Sequence, residues 1–220
     1  MQSSKFVRIR CAITLVSTII VSSFCLVSSS NAAEPDIARG ENLSQTCLGC
    51  HGAPGLRNPG PVYQIPMVGG QHSTYIISAL QAYKDQTRSH ETMQAQAANL
   101  TDQDMVDIAA YFNSLGGNTR PSRVNASLAV QGQQESAICA TCHGATGDGN
   151  PTAEPTPPKL AGQYESYIAE SLKGYRSGER NNAVMAGFAS TLTIQQIKAL
   201  SAWYASQAGG LSAPESNIFK

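Results

Sequence analysis

Hydrophobic and polar positions along the chain follow two different patterns. Cys11 to Val27 is an apolar run with small polar interruptions, preceded by Lys5, Arg8 and Arg10 and followed by Ser30-Asn31-Ala32-Ala33. A basic start, an apolar stretch and small residues at its end predict a signal peptide over residues 1–32, cleaved after Ala32 or Ala33. The run is short for a membrane-crossing helix and lacks a stop signal, which sets a retained anchor aside. Beyond it the spacing turns helical. Residues 36–47 form a short helix with Ile37, Gly40 and Leu43 in register. A Gly- and Pro-rich loop of about twenty residues follows. Residues 71–85 place Tyr75, Ile76, Ala79, Leu80 and Tyr83 on one face. A last helix opens at Thr101, with Asp102 and Asp104 in its first turn and Met105, Ile108, Ala109 and Phe112 facing inward.

The same pattern then recurs. A shift of 92 residues superposes the chain on itself without a gap. Cys47, Cys50, His51 and Gly52 fall on Cys139, Cys142, His143 and Gly144. Pro66 falls on Pro158, Gly70-Gln71 on Gly162-Gln163, Tyr75 on Tyr167, Arg88 on Arg180 and Met93 on Met185. The second copy of the last helix starts with a capping box, Thr193-x-x-Gln196, and buries Ile197, Leu200, Trp203 and Tyr204. Two copies of this length are too few and too long for a solenoid. They predict an all-α chain of two tandem domains, at 33–118 and 124–220, with a linker at 119–123 rich in turn residues.

Composition narrows the classes. Among 220 residues, 15 Lys+Arg balance 15 Asp+Glu, which argues against a basic nucleic-acid surface. Hydrophobics at 41% suit a globular chain rather than a multi-span membrane protein. Loss of Lys5, Arg8 and Arg10 with the signal leaves 12 basic and 15 acidic side chains, net −3. Residues 33–120 carry 5 basic and 8 acidic groups, while residues 121–220 carry 7 of each. Four cysteines remain in the exported chain: Cys47, Cys50, Cys139 and Cys142.

Those four account for the chemistry. Cys47-Leu48-Gly49-Cys50-His51 and Cys139-Ala140-Thr141-Cys142-His143 are both Cys-x-x-Cys-His, the attachment pattern of c-type haem. Two cysteines three apart reach two haem vinyl groups as thioethers, and the adjacent histidine turns its imidazole to the iron. A zinc ribbon would need its two knuckles about fifteen to twenty residues apart; here Cys50 and Cys139 are 89 apart. A thioredoxin-like pair would need a βαβ context. A domain of about ninety residues with so long a loop has little core of its own, and a covalent haem would fill it.

The histidine supplies one axial ligand, so the second should recur in both copies. Among methionines only Met93 and Met185 do so, which makes His51/Met93 and His143/Met185 the expected pairs. His90 is the alternative in the first copy, since imidazole also suits iron. Met67 and Met105 align with Lys159 and Ile197 and read as packing residues. His72 aligns with Tyr164 and reads as a surface histidine. His/Met ligation raises the potential and leaves no open iron site, which favours electron transfer.

Cys-x-x-Cys-His, the segments Pro66-Met67-Val68-Gly69-Gly70 and Pro158-Lys159-Leu160-Ala161-Gly162, the methionine and the final helix together resemble class I cytochrome c domains. The tandem arrangement is similar to the dihaem cytochrome c4 family over residues 34–208. The resemblance implies that the Pro66 and Pro158 carbonyls accept from Nδ1 of His51 and His143. It implies that Val68 and Leu160 pack on the haem. It also implies that Gly40 and Gly132 let the terminal helices cross against Tyr111 and Trp203. Tyr75, Tyr167, Arg88 and Arg180 are candidates to meet haem propionates; aromatic packing and solvated arginines are the plainer alternative for them.

The leading expectation is a periplasmic electron carrier and not an enzyme. By resemblance it would run from a quinol-oxidising membrane complex to a terminal oxidase, with two covalent haems c, no nucleic acid, no small-molecule substrate and at most peripheral membrane contact. The second reading is the dihaem subunit of a periplasmic dehydrogenase, such as a sulfide-oxidising flavocytochrome. The third is a dihaem enzyme with one displaceable methionine.

Overall fold

The structure is a computed structural model and describes residues 34–117 and 122–214. The expected signal peptide at 1–32 and most of the expected linker lie outside the described residues. Ten helices are described, five in each repeat: α1 Ile37–Leu43, α2 Gln45–His51, α3 Ser73–Lys84, α4 Glu91–Ala97, α5 Asp102–Ser114, then α6 Ala126–Glu135, α7 Ala137–His143, α8 Glu165–Ser177, α9 Ala183–Ala189 and α10 Ile194–Ala205. Among the described residues the only β pairing is two isolated bridges, and no helix is long and apolar enough to cross a membrane.

The first helix corrects the reading of 36–47 as one segment. Asp36 caps α1 by accepting from the Arg39 amide, and the helix then stops at Ser44, whose ψ is −2°. A new helix, α2, starts there and carries the Cys-x-x-Cys-His turn. Ser136 makes the same break between α6 and α7, with ψ −5°. A ψ near zero departs from the helical value of about −42°, and in both repeats the attachment motif continues as a separate helix.

Each repeat is then locked by a crossing of its first and last helices. A Cβ on Gly40 would stand 2.0 Å from the Asp107 carbonyl oxygen and 3.1 Å from Tyr111 Cβ; on Gly132 it would stand 2.0 Å from the Ala199 oxygen and 2.8 Å from Trp203 Cβ. Only glycine lets the two backbones approach so closely. The capping box expected at Thr193 is present, and Thr101 with Asp104 forms a second one. The inward face of α5 is buried as its spacing predicts, with Met105, Ile108, Ala109 and Phe112 packed against Leu48, Ile76 and Leu80. On α10, Ile197, Leu200 and Tyr204 are buried, and Trp203 is half-buried.

The repeats pack into one compact unit, and one contact between them is made twice. Gln163 accepts from the Met67 amide and donates to the Met67 carbonyl, each at 2.9 Å. Gln71 grips Lys159 in the same way, at 2.8 and 3.1 Å. Met67 and Lys159 are themselves repeat equivalents. Each bond contributes about 0.5–1.5 kcal/mol net, and leaving the enclosed backbone groups unpaired costs more than that. Tyr164 accepts from the Gly55 amide across the same boundary at 2.9 Å. His72, read from sequence as an ordinary surface residue, reaches across to the Asp148 carbonyl at 3.1 Å and is half-buried. Its equivalence to Tyr164 explains this, because both side chains project at the same point of the interface.

Candidate functional site

The attachment motifs sit on two-turn helices, where residues three and four apart share a face. That places Cys47, Cys50 and His51 together on α2 and Cys139, Cys142 and His143 together on α7. All four thiols are free. Burial pushes the Cys47 and Cys139 thiols up. Among the described residues no three His, Cys, Asp or Glu side chains gather as a metal site of their own.

The histidines are fixed by the chain ahead of the third helix. His51 Nδ1 lies 2.7 Å from the Pro66 carbonyl oxygen, and His143 Nδ1 lies 2.9 Å from that of Pro158. A carbonyl can only accept, so Nδ1 carries the proton in both rings and the Nε2 lone pair is left free. Burial lowers both imidazoles from their ordinary value. Both rings are therefore neutral, oriented and ready to ligate through Nε2.

The methionines lie on α4 and α9, two seven-residue helices that the spacing did not predict. His90 caps α4 by accepting from the Met93 amide at 3.3 Å, and Asn182 caps α9 by accepting from the Met185 amide at 2.9 Å. His90 and Asn182 are repeat equivalents with one shared job, which accounts for a histidine beside Met93. Met93 packs against the core of its repeat, as does Val68. The rims differ: α9 exposes Val184 and Phe188 where α4 carries Thr92 and Gln96.

Further observations fit a bound haem. Each motif offers two thiols and an oriented imidazole, the attachment set of haem c. In the second repeat Trp203 Nε1 and Arg180 Nε are enclosed without a protein partner. Burial and the adjoining Cys139 both raise the Tyr204 phenol, which places it beside that thiol. Buried polar atoms are ordinarily paired, so those two unpaired donors point to a group that is not part of the chain. Tyr75, Tyr167, Arg88 and Arg180 come together at the boundary between the repeats. The contacts that sequence reasoning missed are the Gln71/Gln163 clasp and the Ser44/Ser136 break. Their signal was agreement between repeats at polar positions with no part in the attachment motif.

Comparison with known proteins agrees. The family model described as Cytochrome c matches residues 37–116 and again 129–207. Cytochrome c4 of Pseudomonas aeruginosa is 33% identical over 184 residues, covering 78% of this chain and 88% of the relative. A protein of Stutzerimonas stutzeri described as a thiosulfate dehydrogenase electron acceptor is 29% identical over 175 residues, covering 74% and 79%. The crystal structure of reduced recombinant cytochrome c4 from Pseudomonas stutzeri superposes with a TM-score of 0.66 at 31% identity, covering 79% of this chain and all of that one.

Proposed function

Because the chain belongs to the dihaem cytochrome c4 family, we propose that it carries electrons in the periplasm from a quinol-oxidising membrane complex towards a terminal oxidase. It is a dihaem cytochrome c and an electron carrier rather than an enzyme, with one haem c attached at Cys47 and Cys50 and one at Cys139 and Cys142. The haem supplies the ferric/ferrous couple. The chain's part is ligation, orientation and exclusion of water. His51 and Met93 hold the first iron in this reading, and His143 and Met185 the second.

One observation carries the assignment of the proximal ligands: the Pro66 and Pro158 carbonyls fix Nδ1–H of His51 and His143 and leave each Nε2 free. Such outer contacts set the tautomer and raise the basicity of the ligand. The methionines take support from their matched capping by His90 and Asn182. The apolar rim of α9, against the polar rim of α4, supports different partners at the two ends. The run of small residues ending at Ala33 supports export.

The test is the visible spectrum of the dithionite-reduced protein with and without carbon monoxide. We expect no change, because both irons keep their methionine. The M93A and M185A variants should each open one haem to carbon monoxide. Binding by the unaltered protein would overturn the ligand assignment.

A second reading makes the protein the acceptor or cytochrome subunit of a periplasmic dehydrogenase acting on reduced sulfur compounds. The relative described as a thiosulfate dehydrogenase electron acceptor favours it. Stopped-flow reduction separates the two, since a sulfur-compound dehydrogenase would reduce this protein faster than a quinol-oxidising complex does.

A further inference from the structure

Cys47 and Cys139 lead the two attachment motifs and are repeat equivalents, yet their surroundings differ. Cys47 packs against a core that includes Leu48 and Phe112, both buried. In the second repeat the positions of Leu48 and Phe112 are taken by Ala140 and Tyr204. That pair loses bulk next to the cysteine and gains a hydroxyl on the last helix.

Tyr204 is buried as deeply as Phe112, at 2% against 3% exposed. Its carbonyl accepts from the Gly162 amide at 2.9 Å. Its ring lies against Gly147, where an added Cβ would stand 2.7 Å from Tyr204 Cδ1. Backbone and ring are therefore both held. The hydroxyl is enclosed, and among the described residues no nitrogen or oxygen pairs with it. The polar atom that adjoins it is the Cys139 sulfur. Burial raises the phenol above its ordinary value, so it keeps its proton at neutral pH and is a donor. A buried donor ordinarily has an acceptor, and sulfur is a weak one. Phe112 has no group that could make the same contact with Cys47.

We propose that the Tyr204 hydroxyl donates to the Cys139 sulfur of the thioether-linked haem, and that this contact, which the first repeat cannot make, raises the reduction potential of the second haem. The inference rests on the dihaem reading above. A hydrogen aimed at the thioether sulfur sets the positive end of the O–H dipole at the edge of the macrocycle. That favours the reduced, less positive iron. Hydrogen bonding around the cofactor is one of the protein's levers on its potential. The expected axial pairs are alike in both repeats and do not separate the two centres; the hydroxyl does. In a half-reduced molecule it biases the electron towards the second repeat.

The experiment is a spectroelectrochemical titration of the purified, haem-loaded chain with Y204F, with L48A/F112Y, and with L48A as the control for the latter. Y204F removes one oxygen and leaves the residue type that the first repeat carries. It should shift one couple towards the oxidised form by about two- to threefold, or about 18–28 mV at 59 mV per tenfold, and leave the other unmoved. L48A/F112Y transplants the arrangement into the first repeat. Against L48A it should shift the other couple by the same factor towards the reduced form. No shift in Y204F, a shift of both couples, or a shift towards the reduced form would overturn the proposal. A transplant that moves the same couple as Y204F, or neither couple, would also overturn it. If L48A/F112Y fails to load haem, Y204F decides alone. The mass of the purified chain tests the underlying reading separately, because a chain without two thioether-linked haems refutes that reading before any variant is made.

Discussion

Gly132→Ala tests the crossing of α6 over α10 by the sign of its effect. In an unobstructed helix interior the change should stabilise, since alanine exceeds glycine by about 1 kcal/mol in propensity. Here the new Cβ would lie 2.0 Å from the Ala199 carbonyl oxygen and 2.5 Å from its carbonyl carbon. An ordinary carbon–oxygen contact is about 3.3–3.6 Å, so the helices must separate by more than about 1 Å. The obstruction is backbone, so rotation of a side chain cannot relieve it. Overpacking costs about 1–3 kcal/mol, and a backbone contact puts this site at the upper end, about 3 kcal/mol, or about 2 kcal/mol net of the propensity gain. At roughly 4–8 °C per kcal/mol for a repeat of about ninety residues, the midpoint should fall by about 8–16 °C. Thermal unfolding of the holoprotein, followed by circular dichroism and by absorbance of the second haem, reads this directly. Gly187→Ala in α9, where nothing lies within 4 Å of the new Cβ, is the matched control and should be neutral or stabilising. A Gly132→Ala protein as stable as the unaltered chain would refute the close crossing.

Three further outcomes follow from the geometry. The Thr101 amide and hydroxyl, with Arg39, hold the Asp104 carboxyl below its usual range. Burial opposes ionisation of Asp107, but the Asp36 amide, Arg39 and Gln103 outweigh it and lower that carboxyl too. Both groups are depressed, so their stabilisation is present above the ordinary carboxylate pKa of about 4 and is lost as pH falls through the lower folded values. Hydrogen exchange in α1 should therefore accelerate below about pH 4, while α6 keeps its protection because the equivalent positions are Gln131, Gln196 and Ala199. Gln163→Leu strands the Met67 amide and carbonyl and should cost about 2–4 kcal/mol, read as loss of protection at the Met67 amide with both haems retained. Thr193→Ala removes the cap of α10 and should cost about 1 kcal/mol in denaturant unfolding.

The parts of the fold legible in the sequence were those whose signal is a side-chain period or a fixed motif. The buried face of α5, that of α10 apart from half-buried Trp203, and the cap at Thr193 matched expectation, as did the glycines at 40 and 132, which the family resemblance implied. The break at Ser44 was invisible to periodicity, because serine tolerates a helix and the apolar register runs on through the break. The helices α4 and α9 span only two turns, too few to show a period, and different residue types cap them. The clasp was hidden for another reason. Gln71 and Gln163 read backbone atoms of Lys159 and Met67, so no complementary side chain marks their partners. At the candidate site, the two attachment motifs were readable outright. The arginine–tyrosine cluster needed the structure, since its members come from both halves and meet only on docking.

The clasp also bears on how such a chain can diverge. A contact used twice, each half gripping the other at the equivalent point, is self-complementary, as in an isologous dimer of identical subunits. The two-domain chain has the geometry of such a dimer joined end to end, with an encounter of separate molecules replaced by one held at high effective concentration. Because each glutamine reads only an amide and a carbonyl, the gripped side chains were free to change, and they now stand as Met67 on one side and Lys159 on the other. The halves could drift apart in charge and rim while the geometry that joins them stayed the same.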